Sequence, residues 1–143
     1  MEITKALFDM MDKMIADEPP ETGGILGSKD NTRITDIIFD KPIRSYESCC
    51  RYEPNVEFLN KCIAEWADAG IYFKGIFHSH FANVRSLSDS DINYIKKIMN
   101  AMPEQINNLY FPVFTLPERE LVCYKADRDG SKISIVYEDV FFI

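Results

Sequence analysis

Two adjacent stretches of this sequence are the most informative about its fold: Gly75-Ile76-Phe77-His78-Ser79-His80 and Ser86-Leu87-Ser88-Asp89-Ser90-Asp91. The apolar and aromatic run that begins at Ile71 is short, which predicts a buried strand ending in two histidines. Side chains two positions apart in a strand project from the same face, so His78 and His80 are predicted to present both imidazoles to one site. They are the only histidines among the 143 residues. The pair is therefore a candidate set of metal ligands.

Asp91 is the leading candidate for a third ligand. It lies at the start of a segment whose apolar residues recur every three or four positions, which predicts a helix beginning near Ser88. The seven-residue loop between His80 and Ser88 can fold the start of this helix back over the end of the strand. Two imidazoles and one carboxylate leave one position of a tetrahedral zinc site open for water, which is typical of catalytic zinc.

Each part of this pattern also has an ordinary structural interpretation. Ser88-x-x-Asp91 fits a capping box at a helix start, and Ser86-x-x-Asp89 offers an overlapping one. A lone histidine on an apolar strand is usually a hydrogen-bonded core residue. The histidine pair, the loop length and the carboxylate taken together favour the metal site.

The combined pattern resembles the JAMM motif of the JAB1/MPN/Mov34 metalloproteases. The matching parts are Glu21-Thr22-Gly23-Gly24-Ile25-Leu26-Gly27, His78-Ser79-His80, seven further residues, and Ser88-x-x-Asp91. The order of elements is compatible with the domain of that family over nearly the whole chain. One departure is Phe81, where the family commonly has proline after the second histidine. This change concerns the shape of the loop and substrate contacts more than metal ligation.

The resemblance implies a role for each matching side chain. It implies one zinc ion per chain, held by His78, His80 and Asp91. It implies that Glu21 takes a proton from the attacking water and later passes it to the leaving amine. Ser88 would orient the water or hydrogen-bond the oxyanion. By composition alone Glu21 is one of 23 acidic residues, and only the resemblance singles it out.

The resemblance also implies a class of substrate. Family members often cut peptide or isopeptide bonds after the C-terminal tail of ubiquitin or a ubiquitin-like protein. The connection from Met102 to Leu109 leaves no room for a long second insertion, so selectivity among polyubiquitin linkages is not expected. The expected partner is therefore a ubiquitin-like protein, a sulfur-carrier protein with a Gly-Gly end, or a small peptide, as for a compact bacterial or archaeal type of domain.

Two other classes of function stay open. A non-catalytic MPN scaffold would usually lack part of the metal set, and here every part is present. A mononuclear iron oxygenase also uses two histidines and one carboxylate. Such sites typically lie in all-β barrels, however, and this sequence predicts three helices.

Composition and charge support a single soluble α/β domain spanning residues 1–143. The hydrophobic fraction is 46% and the aromatic fraction 13%, enough for a packed core. The net charge of −7 argues against nucleic acid as a partner, because such binding depends on cationic contacts. No transmembrane run and no signal-peptide pattern are visible, so we expect a cytoplasmic protein without a membrane partner.

The periodicity of apolar residues predicts a mixed β-sheet flanked by three helices, an α+β layered arrangement. The four cysteines form no Cys-x-x-Cys pair and are interpreted as reduced packing residues. The predicted helices are 2–18, 54–69 and 88–101. The predicted strands are 25–27, 33–39, 71–77, 110–115, 121–125 and 133–138.

Overall fold

A six-stranded mixed sheet lies at the centre of the fold. The computed structural model describes residues 1–41 and 51–143. Along the chain the elements are β1 (Glu2–Ile3), α1 (Lys5–Met14), β2 (Gly23–Ser28), β3 (Asp36–Phe39), α2 (Val56–Asp68), β4 (Tyr72–His80), α3 (Asp89–Ala101), β5 (Asn108–Thr115), β6 (Glu120–Asp129), β7 (Lys132–Glu138) and β8 (Phe141–Phe142). The order in the sheet is β3-β2-β4-β5-β6-β7, and only its β4–β5 pair is parallel. The predicted mixed sheet with three helices is confirmed.

The helices cover the two faces of this sheet unequally. Leu7 and Met11 of α1 pack against one face together with Phe77 and Phe114 of the sheet. The opposite face carries α2 and α3, which pack on Ile25, Ile76, Leu109 and Phe111 of the sheet. The buried residues of these two helices are Leu59, Cys62, Trp66, Ile95 and Met99. The parallel pair β4 and β5 is joined through α3, because parallel strands need a crossover connection of about a dozen or more residues, usually a helix. As a result, the start of α3 lies over the end of β4.

Gly75 lets β4 run close beside its parallel neighbour. Its φ angle is +148°, and a Cβ there would lie 1.7 Å from the carbonyl oxygen of Tyr110 on β5. Glycine is therefore required at this position, because a side chain would meet backbone that has no room to move. Downstream of Gly75 the strand alternates regularly: Phe77 packs on the α1 side, whereas Ile76 packs on the side of α2 and α3.

The first helix is shorter at both ends than its apolar pattern predicts. Residues 2–18 were predicted to be helical, but α1 covers Lys5–Met14. Glu2 and Ile3 instead form a short parallel pair with Phe141 and Phe142. Thr4 separates the two elements as the N-cap of α1, and its hydroxyl accepts the backbone N–H of Leu7. Pairing of Ile3 with Phe142 favours the extended conformation over another helical turn.

Other boundaries differ by a few residues. The predicted strand 33–39 is β3 (Asp36–Phe39), and the strand predicted to end at residue 77 continues to His80 as β4. Cys62 and Cys123 are free and buried, as expected for packing cysteines, whereas Cys49 and Cys50 lie outside the described residues. Within the described part of the chain, no helix is long and apolar enough to span a membrane.

Arg128 of β6 holds the end of α3. Its guanidinium donates to the carbonyl oxygens of Met99 (2.5 Å), Met102 (3.0 Å), Pro103 (2.6 Å) and Ile106 (2.7 Å). The Met99 carbonyl lies in the last turn of the helix, where it also accepts the backbone N–H of the C-cap residue Met102 at 3.3 Å. The fork of a guanidinium can serve several acceptors at once, which the point charge of a lysine cannot.

Replacing Arg128 by alanine is expected to destabilise the protein by about 2–3 kcal/mol, because several carbonyl groups lose their donor together. Urea unfolding would measure this change. Arg33→Ala is the matched control: Arg33 pairs with Asp30 on the surface, and its loss should shift the unfolding midpoint much less than Arg128→Ala does, because solvent screens the pair. Equal effects of the two substitutions would show that Arg128 does not anchor α3.

Candidate metal centre

His78 and His80 occupy the end of β4 and meet at one point. Their Nε2 atoms are 2.8 Å apart, and their side chains are only 14% and 10% exposed. Both line the same cleft as Ile76, so the alternation of the strand places the three on one face. The structure therefore brings together the two imidazoles that the sequence predicts to share a site.

Asp91 reaches this pair from the first turn of α3. Its Oδ1 lies 3.3 Å from Nε2 of His78, and its Oδ2 lies 3.2 Å from Nε2 of His80. The same carboxylate completes the capping box: Ser88 N–H donates to Asp91 Oδ2 at 2.9 Å, and Asp91 N–H donates to Ser88 Oγ at 3.0 Å. The capping and metal-site interpretations thus both apply, because the capping hydrogen bonds orient the Asp91 carboxylate towards the histidines.

The hydrogen bonds of His80 determine which of its nitrogens can bind a cation. Nδ1 lies 3.1 Å from the carbonyl oxygen of Val84, which can only accept, so Nδ1 carries a proton. In the neutral ring Nε2 then has a free lone pair, and it faces the Asp91 carboxylate. Two acceptors in such contact need a proton or a cation between them.

The pKa values of the site reflect the same contact. Burial lowers the pKa of His80, but hydrogen bonding and charge from Asp91, with the charge of Glu21, outweigh it and leave the pKa raised. Burial raises the pKa of Asp91, but the hydrogen bonds from His78 and His80 outweigh it and hold that pKa well below its usual range. Without a metal ion, the carboxylate stays ionised and attracts a proton to His80.

These distances can be compared with those of a tetrahedral zinc site. Ligand atoms about 2.0–2.2 Å from the ion lie about 3.3–3.6 Å from one another. The distances from Asp91 to the histidines are of this size, but each involves a different oxygen: Oδ1 is 3.3 Å from His78 Nε2, and Oδ2 is 3.2 Å from His80 Nε2. The two Nε2 atoms, 2.8 Å apart, would have to separate by about 0.5 Å to reach 3.3 Å. The three residues therefore fit a small divalent ion such as zinc after a minor adjustment.

Glu21 contributes a second carboxylate to the site. One ligand atom of Glu21, one of His78 and one of His80 all lie within 4.8 Å of one another, so Glu21 is also a possible ligand by position. Its Oε2 is 3.9 Å from His80 Nε2, farther than a tetrahedral edge, whereas Oδ2 of Asp91 is 3.2 Å from the same nitrogen. The distances favour Asp91 as the ligand and leave Glu21 room for a water molecule.

Burial changes the acid–base properties of Glu21. Its side chain is 15% exposed. Burial raises the pKa of Glu21, an effect that the positive charge of His78 and His80 partly offsets. A carboxylate with a raised pKa is a stronger base than an exposed one and transfers protons better near neutral pH.

A cleft of about 820 Å³ opens over these residues. Its floor is the end of β4, and its walls come from the segment before α2 and from the start of α3. Ser88 lies on its wall with the hydroxyl accepting the N–H of Asp91, which leaves the hydroxyl proton free to donate. The cleft is lined by charged, hydroxyl and apolar side chains, among them Glu21, Tyr52, Phe81, Ser88 and Tyr94.

Ser79 is a supporting residue whose role sequence reasoning missed. Its fully buried hydroxyl accepts the backbone N–H of Thr22 at 2.8 Å, and its own N–H donates to the Thr22 carbonyl at 2.8 Å. The residue next to Glu21 is thereby fixed to the strand that carries both histidines. The only signal in the sequence is the position of a serine between them, where its side chain was expected simply to point away.

Replacing Ser79 by alanine is expected to cost about 1–3 kcal/mol of stability, because the Thr22 N–H loses its partner. If Glu21 has the hydrolytic role that the motif resemblance implies, the substitution should also reduce turnover while leaving the metal content unchanged, since Glu21 shifts and the histidines do not. Ser28→Ala is the matched control: Ser28, at the far end of β2, is also fully buried, but its hydroxyl donates to Asp30 just after the strand. Equal turnover in the two variants would refute the positioning role of Ser79.

Comparison with known proteins shows similarity at the level of structure. No protein-family model matches the sequence, and no curated protein sequence matches it. A protein from Desulfitobacterium hafniense, solved in solution, superimposes with a TM-score of 0.68 at 17% identity, covering 99% of this chain and 92% of that one. A protein from Salinibacter ruber gives a TM-score of 0.62 at 18% identity, covering 100% and 92%.

A third similar structure carries a domain name. It is the crystal structure of a JAB1/MPN domain protein from Archaeoglobus fulgidus, with a TM-score of 0.58 at 17% identity. The superposition covers 100% of this chain and 99% of that one. Similarity at this identity concerns the fold alone. This chain has the mixed α+β fold of a JAB1/MPN domain.

Proposed function

We propose that this protein is a zinc-dependent hydrolase of the JAMM type, a metalloprotease or isopeptidase that cleaves peptide or isopeptide bonds. The observation that carries the proposal is the convergence of His78, His80 and Asp91 within 3.3 Å of one another, with Glu21 just beyond them. A structural zinc site uses four protein ligands, whereas this donor set has three. The remaining position would be open to water and substrate.

Glu21 and Ser88 would have separate roles in hydrolysis. A bound zinc ion supplies Lewis-acid polarisation of a carbonyl group and acidifies a neighbouring water molecule. Glu21 receives the proton of that water and delivers it to the leaving amine, a task suited to its buried position and raised pKa. Ser88 donates its hydroxyl proton to the oxyanion that develops on the substrate, a contact worth roughly 3–4 kcal/mol when such a donor is removed elsewhere.

The proposed substrate is the C-terminal tail of a ubiquitin-like or sulfur-carrier protein, or a small peptide. Support comes from the motif resemblance and from the open cleft, which has room for an extended segment over the end of β4. The acidic chain is not expected to bind nucleic acid. A single domain over residues 1–143 and a cytoplasmic location stay predictions of the sequence.

The two alternative classes differ from this proposal in distinct ways. The fold makes an iron oxygenase a poor match, because its two-histidine, one-carboxylate site usually lies in an all-β barrel. A non-catalytic scaffold would share the fold, but it has no need of a buried carboxylate beside two histidines.

Cleavage of a panel of C-terminal fusions tests the proposal directly. The panel comprises ubiquitin, a ubiquitin-like protein and a sulfur-carrier protein, each incubated with zinc-loaded protein and with zinc-loaded Glu21→Gln. Release of the fused partner by the wild type alone would support a metalloprotease and rank its substrates. Absence of cleavage in every fusion and in a peptide library, with zinc still bound, would favour the scaffold.

A further inference from the structure

Tyr52 joins the segment before α2 to the candidate metal centre. Its backbone N–H donates to Oε1 of Glu21 at 3.2 Å. Its ring lies nearly parallel to the imidazole of His78, with ring centroids 6.4 Å apart and planes inclined by 19°. The ring also covers Gly23, where a Cβ would lie 2.5 Å from the nearest ring atom. Tyr52 therefore contacts the Glu21 carboxylate and lies beside a histidine of the site.

Asp40 in turn holds Tyr52. The Tyr52 hydroxyl donates to Asp40 Oδ2 at 2.6 Å, and the backbone N–H of Asn55 donates to the same oxygen at 2.9 Å. The backbone N–H of Asp40 donates to the carbonyl of Gly23 at 2.9 Å, which fixes it beside the start of β2. Burial and the bond to Asp40 raise the pKa of Tyr52, so its hydroxyl stays a donor.

We propose that Asp40 and Tyr52 form a positioning pair that holds Glu21 and selects its Oε2 for proton transfer. The N–H of Tyr52 occupies Oε1, so Oε2, which is 3.9 Å from His80 Nε2, is the oxygen directed at the histidines. A carboxylate fixed through one oxygen keeps the other in the orientation that the reaction needs. The inference rests on the proposed role of Glu21 in hydrolysis.

Removing the hydroxyl of Tyr52 tests the pair with little loss of packing. Tyr52→Phe keeps the ring over Gly23 and keeps the N–H, but it loses the bond to Asp40. We expect kcat to fall roughly tenfold with KM within about twofold and with unchanged zinc content, since general acid–base groups depend on their placement. Tyr110→Phe is the matched control, because Tyr110 is half-buried on the α1 side of the sheet.

Substitutions at Asp40 separate positioning from a general loss of structure. Asp40→Ala should lower kcat as Tyr52→Phe does, and the double variant should be no slower than Asp40→Ala, because the two residues act as a unit. Asp40→Asn retains an acceptor oxygen and is expected to restore kcat to within about threefold of the wild type. Additive losses in the double variant would overturn the proposal.

The backbone N–H of residue 52 provides a readout that does not depend on activity. In the wild type its hydrogen exchange should be slow, and it should accelerate roughly tenfold or more in Tyr52→Phe and in Glu21→Ala. Unchanged exchange in Tyr52→Phe, or unchanged kcat despite faster exchange, would overturn the inference. If the wild type cleaves no substrate, the proposed function fails by itself, and exchange alone decides whether Asp40 and Tyr52 hold Glu21.

Discussion

Replacing Asp91 by alanine is expected to remove bound zinc from the protein. The carboxylate lies 3.2–3.3 Å from both histidine nitrogens, and two imidazoles alone form an incomplete site. Loss of a residue that only supports a ligand weakens metal binding about 10–100-fold. Loss of a ligand itself should therefore weaken metal binding more than about 100-fold. Isothermal titration with zinc, after removal of metal by a chelator, would measure this change. His78→Ala should behave in the same way.

Two control variants separate ligation from helix capping. Asp89→Ala removes a neighbouring carboxylate of the same helical turn, and it should keep full zinc binding. Ser88→Ala breaks the capping box, which should cost about 1 kcal/mol of stability without removing a ligand. One full equivalent of zinc in both Asp91→Ala and His78→Ala would refute the ligand assignment.

Replacing Glu21 by glutamine is expected to leave zinc binding intact and to reduce kcat about 10²–10⁴-fold, the usual range for a general acid–base group. Glutamine has the same size and can still accept the N–H of Tyr52, but it cannot take a proton. The measurement is the steady-state rate on whichever fusion the wild type cleaves, together with zinc content.

Glu18→Gln is the control for this substitution, because Glu18 is an exposed carboxylate three residues away. It should retain wild-type turnover. Unchanged turnover in Glu21→Gln would remove this residue as the base. Loss of zinc in Glu21→Gln would instead identify Glu21 as a ligand, the alternative that its position beside both histidines leaves open.

Local sequence patterns predicted the histidine pair and Asp91, but they did not mark Glu21. The strand period of two placed His78 and His80 on one face, and the Ser88-x-x-Asp91 spacing marked the start of α3. Both are local patterns, since each depends on residues a few positions apart. Nothing local marks Glu21, whose backbone neighbour Thr22 bonds to a serine 57 positions away.

The errors in the predicted secondary structure also come from contacts between residues distant in sequence. The pattern of apolar residues predicted a helix from residue 2, because Ile3 fits the helical period as well as it fits a strand. Pairing of β1 with β8 selects the extended conformation of Ile3, and those strands lie at opposite ends of the sequence. Periodicity reports which residues are buried, whereas long-range pairing chooses the conformation in which they are buried.

Short-range spacing in the sequence was sufficient to predict the α+β class, the three helices, the histidine pair and the capped carboxylate. The contacts between these residues depend on how the chain folds as a whole. The α3 crossover carries Asp91 to within 3.3 Å of both histidines, and Ser79, Tyr52 and Asp40 bring Glu21 beside them. These contacts join residues distant in sequence, so they follow from the packing of the whole sheet and its helices.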